Sequence, residues 1–411
     1  MAEAKQAGKS SDLAATCNIV MAVVGLGILK LPGEVSCVGV GGFAILIVLG
    51  AFAQALLTHV FYRAMLLTPD RRGQYDSYTA VGEAAYGRAG KIAAGISVHV
   101  SLVGICACIL ILWRDTLQRM VPIVQNESTS KALWALIGVA VAQPFVWLRS
   151  MSEIGVFSTI GVVAVLGLAA LAVCGGLSKL ANGEGLDTSE IYLFNGDHLG
   201  WAGALTSVIF SFGSVPVIPS IYKDMKNPQN FTKVLIAAYA IIFILSATVA
   251  LIGYLGYGSS LIGGDVMKAL VPENKSLDAI GYLASIAALL VVLSHIVVLF
   301  SPVADASENT GRALFGNSEL VRKICRTLPS AAILGLGLVV PSLNLMVGLV
   351  GSVTVIMMCL VLPPIFYWKL LLLRHDTKSR VGLWITSGII IAGSLYTMIF
   401  GLQGVVQSMI K

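Results

Sequence analysis

Apolar runs of about 17 to 25 residues recur along this chain, separated by short polar segments, and no other feature restricts its fold as tightly. A helical membrane crossing needs about 20 such residues, because in hydrocarbon the backbone must satisfy its own N–H and C=O groups. Eleven spans are read from these runs, at residues 13–35, 41–66, 91–113, 132–148, 154–177, 200–222, 232–257, 277–301, 329–345, 347–373 and 383–408. Composition agrees, since 57% of residues are hydrophobic and only 12% charged, about half the roughly 25% charged residues of a soluble domain. The expected architecture is an all-α integral membrane protein, with residues 1–12 as a cytosolic N-terminal segment and 13–411 as one transmembrane domain. The polar start MAEAKQAGKSSD has no signal-peptide core, so the first span is expected to stay in the mature chain.

Charge sets the orientation. With the N-terminus cytosolic, Arg114, Arg119, Lys131, Lys179, Lys268, Lys275 and Lys411 fall outside, and Lys30 falls within a span. All the other Lys and Arg fall on the inner side, as the positive-inside rule requires. The sequons at Asn126 and Asn274 then lie in outer loops, where they are candidate glycosylation sites, and the sequon at Asn230 lies inside. The seven cysteines suggest no pairing, and Cys106 and Cys108 point to different sides of one helix. No Walker, HExxH, GxSxG or CxxC motif occurs, so the chain is not expected to be an enzyme or an ATP-driven pump.

Two spans contain residues that interrupt a helix. Span one reads VVGLGILKLP, with Gly25, Gly27 and Pro32, and span six reads FSFGSVPVIP, with Gly213, Pro216 and Pro219. Interruptions at matching places in two halves point to a transporter built of inverted repeats, in which unwound backbone offers N–H and C=O groups to substrate and ions. The repeats would be residues 13–177 and 200–373, with 383–408 as an added helix. Simple Gly/Pro kinks are the alternative reading.

Three stretches carry a family resemblance: NIVMAVVGLGILKLP (18–32), AVGEAAYGRAGK (80–91) and FSFGSVPVIPSIYKDMKNPQNF (210–231). They resemble the amino acid/auxin permease family of the amino acid-polyamine-organocation superfamily, with a sixth span like those of vacuolar, proton-coupled members. The resemblance implies a leucine-transporter-type fold of two inverted five-helix repeats with discontinuous helices 1 and 6. It also implies secondary active transport of amino acids, with neutral ones expected. By position it places substrate carboxylate and amine at Val24, Gly25, Leu26 and Gly27, facing Phe210, Ser211, Phe212 and Gly213. For Ser211 and Ser214, a hydroxyl bonded to its own helix is an equal reading.

This chain departs from the family pattern in two ways. Relatives often carry a histidine in the sixth-span break, where this chain has Val215. Lys30 stands where close relatives have a small residue, while sodium-coupled neurotransmitter symporters place an arginine at that spacing. Lys30 is therefore a gate candidate, with a snorkelling lysine as the alternative. No cofactor is expected beyond a coupling ion, proton or sodium. In span eight, Ser294 matches a hydroxyl of sodium-coupled relatives, and with carbonyls near Ala22 and Gly25 would ligate sodium. Its neighbour His295 fits a proton relay. His99 in span three is a second histidine that could line the path. Packing alone is the competing reading for both histidines. No metal site other than a possible sodium site is read.

The expected partners are an amino acid and the lipid bilayer, with no nucleic acid, and the sequence is compatible with a monomer. The expected location is a vacuolar, endomembrane or plasma membrane. An amino-acid sensor without net transport is the alternative function, but about twelve residues precede the first span and few follow the last, which leaves little tail for signalling.

Overall fold

A computed structural model of the chain describes residues 10–68, 77–147, 151–187, 190–261, 264–272, 278–316, 318–374 and 381–410. The helices are α1 (Asp12–Val23), α2 (Leu26–Leu67), α3 (Tyr78–Met120), α4 (Glu127–Val146), α5 (Met151–Ala181), α6 (His198–Phe212), α7 (Ile218–Asp224), α8 (Phe231–Tyr257), α9 (Val266–Leu270), α10 (Ala279–Phe315), α11 (Glu319–Val339), α12 (Leu343–Val350), α13 (Leu362–Leu373) and α14 (Val381–Ile410). Short polar residues cap their starts: Ser11, Ser77, Asn126, Asp197, Asp278, Ser318 and Ser342 each accept a bond from an N–H three residues on.

Among the described residues, nine helices are long and apolar enough to cross a membrane. The eleven predicted spans are distributed differently, for local physical reasons. Span one is split between α1 and the start of α2, and α2 runs on through span two. The join is at Gly39, whose φ of 78° lies in the left-handed region, and a Cβ there would come within 2.7 Å of the Tyr192 carbonyl oxygen. Span nine, expected at 329–345, is instead α11, which begins ten residues earlier and stops before Pro341, where no further helical N–H is available. Its early turns carry Arg322 and Arg326, both buried and bonded. Arg326 pairs with Glu308 at 2.5 Å and with Asp305, and donates to the Val146 carbonyl at 2.8 Å, while Arg322 donates to the Trp147 carbonyl. These ion pairs let a charged, amphipathic helix pack between α4 and α10.

Span three is longer than expected because the AVGEAAYGRAGK segment is itself helical. It bends at Tyr86 and Gly87, and the chain doubles back so that Gly82 and Gly90 touch. Span eight likewise runs on to Phe315, and span ten passes through two π-helical stretches, Gly351–Val355 and Met357–Val361.

The exterior is apolar along the spans. On α2, Ile45, Val48, Leu49 and Phe52 are exposed at the i, i+3, i+4, i+7 spacing of one helix face, as a lipid-facing stripe should be. Large buried side chains such as Phe43, Phe61, Phe212, Phe300 and Tyr367 fill the centre.

Candidate functional site

The two interrupted helices meet. Helix α1 ends where Val24 turns extended (φ −70°, ψ 103°), and α2 starts after Gly25 (φ −150°, ψ −145°). Helix α6 ends at Phe212, with Gly213 extended and Ser214 outside the helical region before a single 3-10 turn, Val215–Val217. Helix ends leave carbonyls on one side of each break and N–H groups on the other without intrahelical partners. The positive end of the α2 dipole and the negative end of the α1 dipole therefore face the same gap.

Gly27 makes the approach possible. A Cβ there would stand 2.5 Å from Ser211 Oγ, 2.9 Å from Ser211 Cα and 3.0 Å from the Phe210 ring. At Gly25 the nearest group to such a Cβ is the Val23 carbonyl oxygen at 3.9 Å, so open space adjoins the first break. Val24 and Leu26 bury their side chains, leaving only their backbone for recognition. Beyond the break every residue from Leu26 to Val35 is buried, whereas on α1 Asn18 and Ala22 are exposed.

The structure separates the four span-six candidates. Phe210 and Ser211 lie against Gly27, and the Ser211 hydroxyl donates to the Ser207 carbonyl at 2.7 Å. Phe212 is fully buried and stacks on Tyr239. Gly213 packs on the π-helical segment, its added Cβ falling 3.2 Å from Val355 and 3.4 Å from the Cys359 sulfur. Short π stretches within helices are frequent at functional sites, and Tyr78 donates to a carbonyl of this one, Met358, at 2.8 Å.

Sequence reasoning missed the groups that hold the second break open. Gln54 Nε2 donates to the Ile209 carbonyl at 2.9 Å, and the Tyr239 hydroxyl lies 2.8 Å from Ser214 Oγ, 2.9 Å from Thr58 Oγ1 and 3.1 Å from the Phe212 carbonyl. All four side chains are buried. The available signal was the presence of Gln54, Thr58 and Tyr239 within apolar runs, where polar side chains need partners. A Tyr239→Phe protein is expected to keep its fold and to lose about tenfold in uptake, since a net hydrogen bond is worth about 1 kcal/mol and the hydroxyl serves three; initial-rate uptake against thermal stability checks it.

The ion-coupling candidates Ser294 and His295 are on α10. Ser294 donates to the Leu290 carbonyl at 2.6 Å, and His295 Nδ1 lies 3.0 Å from the Val291 carbonyl, both on their own helix α10. Both face Gly161 of α5, whose added Cβ would meet Ser294 Oγ at 2.5 Å and His295 Nδ1 at 3.1 Å. Among the described residues no hydrogen bond joins them to Ala22 or Gly25. His99 likewise bonds its own helix, at the Gly95 carbonyl, 2.7 Å away. No group of three or more potential metal ligands forms among the described residues. Asn126 uses its side chain as the α4 cap, and Asn274 lies outside the described residues.

Lys30 does not snorkel. Its ammonium is buried, 3.0 Å from Glu34 Oε1 and 3.4 Å from the Asn344 carbonyl, and Glu34 in turn accepts the Ser207 hydroxyl at 2.7 Å. This chain of bonds ties α2 to α6 and to the start of α12. Glu34 was visible in the sequence as the i+4 partner of Lys30.

The pattern of the family described as "Transmembrane amino acid transporter protein" matches residues 8–407. The chain belongs to this family. Among its relatives, amino acid transporter AVT1I of Arabidopsis thaliana is 23% identical, the match covering 88% of this chain and 87% of the relative. The vesicular inhibitory amino acid transporter of Mus musculus is 23% identical over 95% of this chain and 75% of its own. In fold, this amino acid transporter family member is similar to the inward-facing conformation of Mhp1, with a TM-score of 0.61 at 14% identity over 98% of this chain and 90% of that one. That likeness places it in the leucine-transporter-type architecture.

Proposed function

We propose that this protein is a secondary active transporter that moves neutral amino acids across an endomembrane by alternating access, coupled to a proton gradient. The observation that carries the reading is the contact of the two broken helices at Gly27 and Ser211 beside the open space at Gly25. A zwitterion leaving water there exchanges hydration for oriented backbone groups, which match its two charges without burying a net charge. The residues at the breaks, Val24 to Gly27 and Phe210 to Gly213, include no ionisable side chain, which suits a substrate whose own side chain is uncharged. The name of the vesicular relative supports an endomembrane location.

For coupling, His295 is the favoured group. With Nδ1–H donating to the Val291 carbonyl, Nε2 is the ring's proton acceptor. Proteoliposome uptake of each of the twenty labelled amino acids under imposed proton or sodium gradients tests the proposal. Proton-stimulated uptake of neutral amino acids, with the proton dependence lost in His295→Ala and kept in Ser294→Ala, is the expected result. Sodium-driven uptake that Ser294→Ala weakens would transfer coupling to sodium, and binding without gradient-stimulated uptake of any amino acid would make the protein a sensor.

A further inference from the structure

A second cavity lies away from the residues of the breaks. It has a volume of about 550 Å³ and is walled by the start of α2, the start of α6, the start of α12 and the end of α14. This size falls within the roughly 300–1,000 Å³ usual for small-molecule sites. Neither Gly25, Gly27, Ser211 nor Gly213 lines it, whereas Lys30 and Glu34 do. Lys30 stands about 4.5 Å further along the helix axis than Gly27. Glycines, among them Gly200, Gly203, Gly401 and Gly404, keep the walls free of side chains.

The polar groups on one wall are only partly used. The Lys30 ammonium has three donors, of which the Glu34 and Asn344 contacts account for two. Both bonds to Glu34, from Lys30 and from Ser207, fall on Oε1, and among the described residues no group is bonded to Oε2. Glu34 is 6% exposed and Lys30 9%, so an unused acceptor and an unused donor sit side by side, shielded from bulk solvent. Groups so buried gain much from a charged partner of opposite sign.

We propose that this cavity is a second amino-acid site, where Lys30 takes the carboxylate and Glu34 the ammonium of a zwitterion; this rests on the transport reading above. The alternation of signs matters. A zwitterion laid against an internal ion pair forms a closed set of four charges and adds no net charge to a low-dielectric wall. A ligand with only one charge would leave one of the two residues facing it unmatched.

Cys37 lines the same cavity and can report on it. The full-length protein, reconstituted in proteoliposomes, is treated with a methanethiosulfonate reagent, and modification of Cys37 is read by peptide mass spectrometry with and without L-alanine. At four times the dissociation constant, labelling is expected to slow about fivefold by mass action. The same protection is expected in Gly25→Leu, in which the central site is blocked, and it should vanish in Lys30→Met and in Glu34→Gln. Propionate and ethylamine, each with one of the two charges, should protect weakly or not at all. Protection that disappears in Gly25→Leu would overturn the proposal, because it would then reflect a conformational effect of the central site. Should Gly25→Leu fail to fold, wild-type protection that survives both Lys30→Met and Glu34→Gln overturns it as well. Uptake without protection sinks the second site and leaves transport standing; absence of both uptake and protection sinks the two together.

Discussion

Gly25→Leu is expected to give a protein that folds normally and transports at no more than about one hundredth of the wild-type rate. The two halves of that expectation come from one geometry. The space next to Gly25 is open, with the Val23 carbonyl oxygen 3.9 Å from an added Cβ, and its φ of −150° is outside the left-handed region that excludes side chains. The Cβ of a leucine therefore enters the gap without displacing protein atoms, and the rest of its side chain is expected to occupy the place from which backbone groups reach the substrate. A hydrogen bond to a charged group is worth about 1.5–3 kcal/mol, and losing one or two of them costs about a hundredfold or more at 1.4 kcal/mol per factor of ten. Gly27→Leu is expected to behave differently. Its Cβ would fall 2.9 Å from the Ser211 Cα, so α2 and α6 must separate, and uptake and thermal stability should fall together. Uptake kinetics alongside a thermal-shift assay separate the two cases. Normal transport by Gly25→Leu would place the substrate site elsewhere.

Arg114→Leu is expected to cost more stability than any surface substitution, about 3–5 kcal/mol, the usual penalty for breaking a buried charged network. Arg114 is 3% exposed and acts as a cap on the end of α11. Its guanidinium donates to the Gly337 carbonyl, to Val340 at 2.9 Å and to Pro341 at 2.8 Å, and its Nε pairs with Asp115 at 3.1 Å. Helix carbonyls at a C-terminus carry partial negative charge, so removing the cation leaves several acceptors and a carboxylate unmatched in a dry interior. The same bonds hold the Pro341 turn that leads into Ser342 and Asn344, both on the wall of the Lys30 cavity. Thermal unfolding in detergent measures the loss. A change in midpoint no larger than that of an exposed control, such as Lys91→Leu, would show that the cap contributes little.

Much of the architecture was legible along the chain. The lengths of the apolar runs and the two glycine-containing interruptions are local properties, legible without knowledge of the packing. They place α4, α5, α6, α8 and both breaks within a few residues. Span nine was misplaced for an equally physical reason. An amphipathic helix whose arginines are neutralised by Asp305, Glu308 and backbone carbonyls does not look apolar, and the apolar run that does appear there crosses Pro341.

The sequence by itself determined an all-helical membrane protein, the position of its two broken helices and, through three motifs, its family. Tertiary structure alone decided which groups those breaks meet. Ser211 lies against Gly27, Tyr239 and Thr58 brace Ser214, and Arg114 caps a helix more than two hundred residues away. It also decided that Ser294 and His295 face α5, and that Lys30 is held by Glu34 beside Asn344 and not by lipid headgroups. The reason is range. Backbone satisfaction within a helix is settled by neighbours four residues apart, whereas a buried polar side chain takes its partner from whichever helix crosses it, and crossing depends on the packing of the whole bundle.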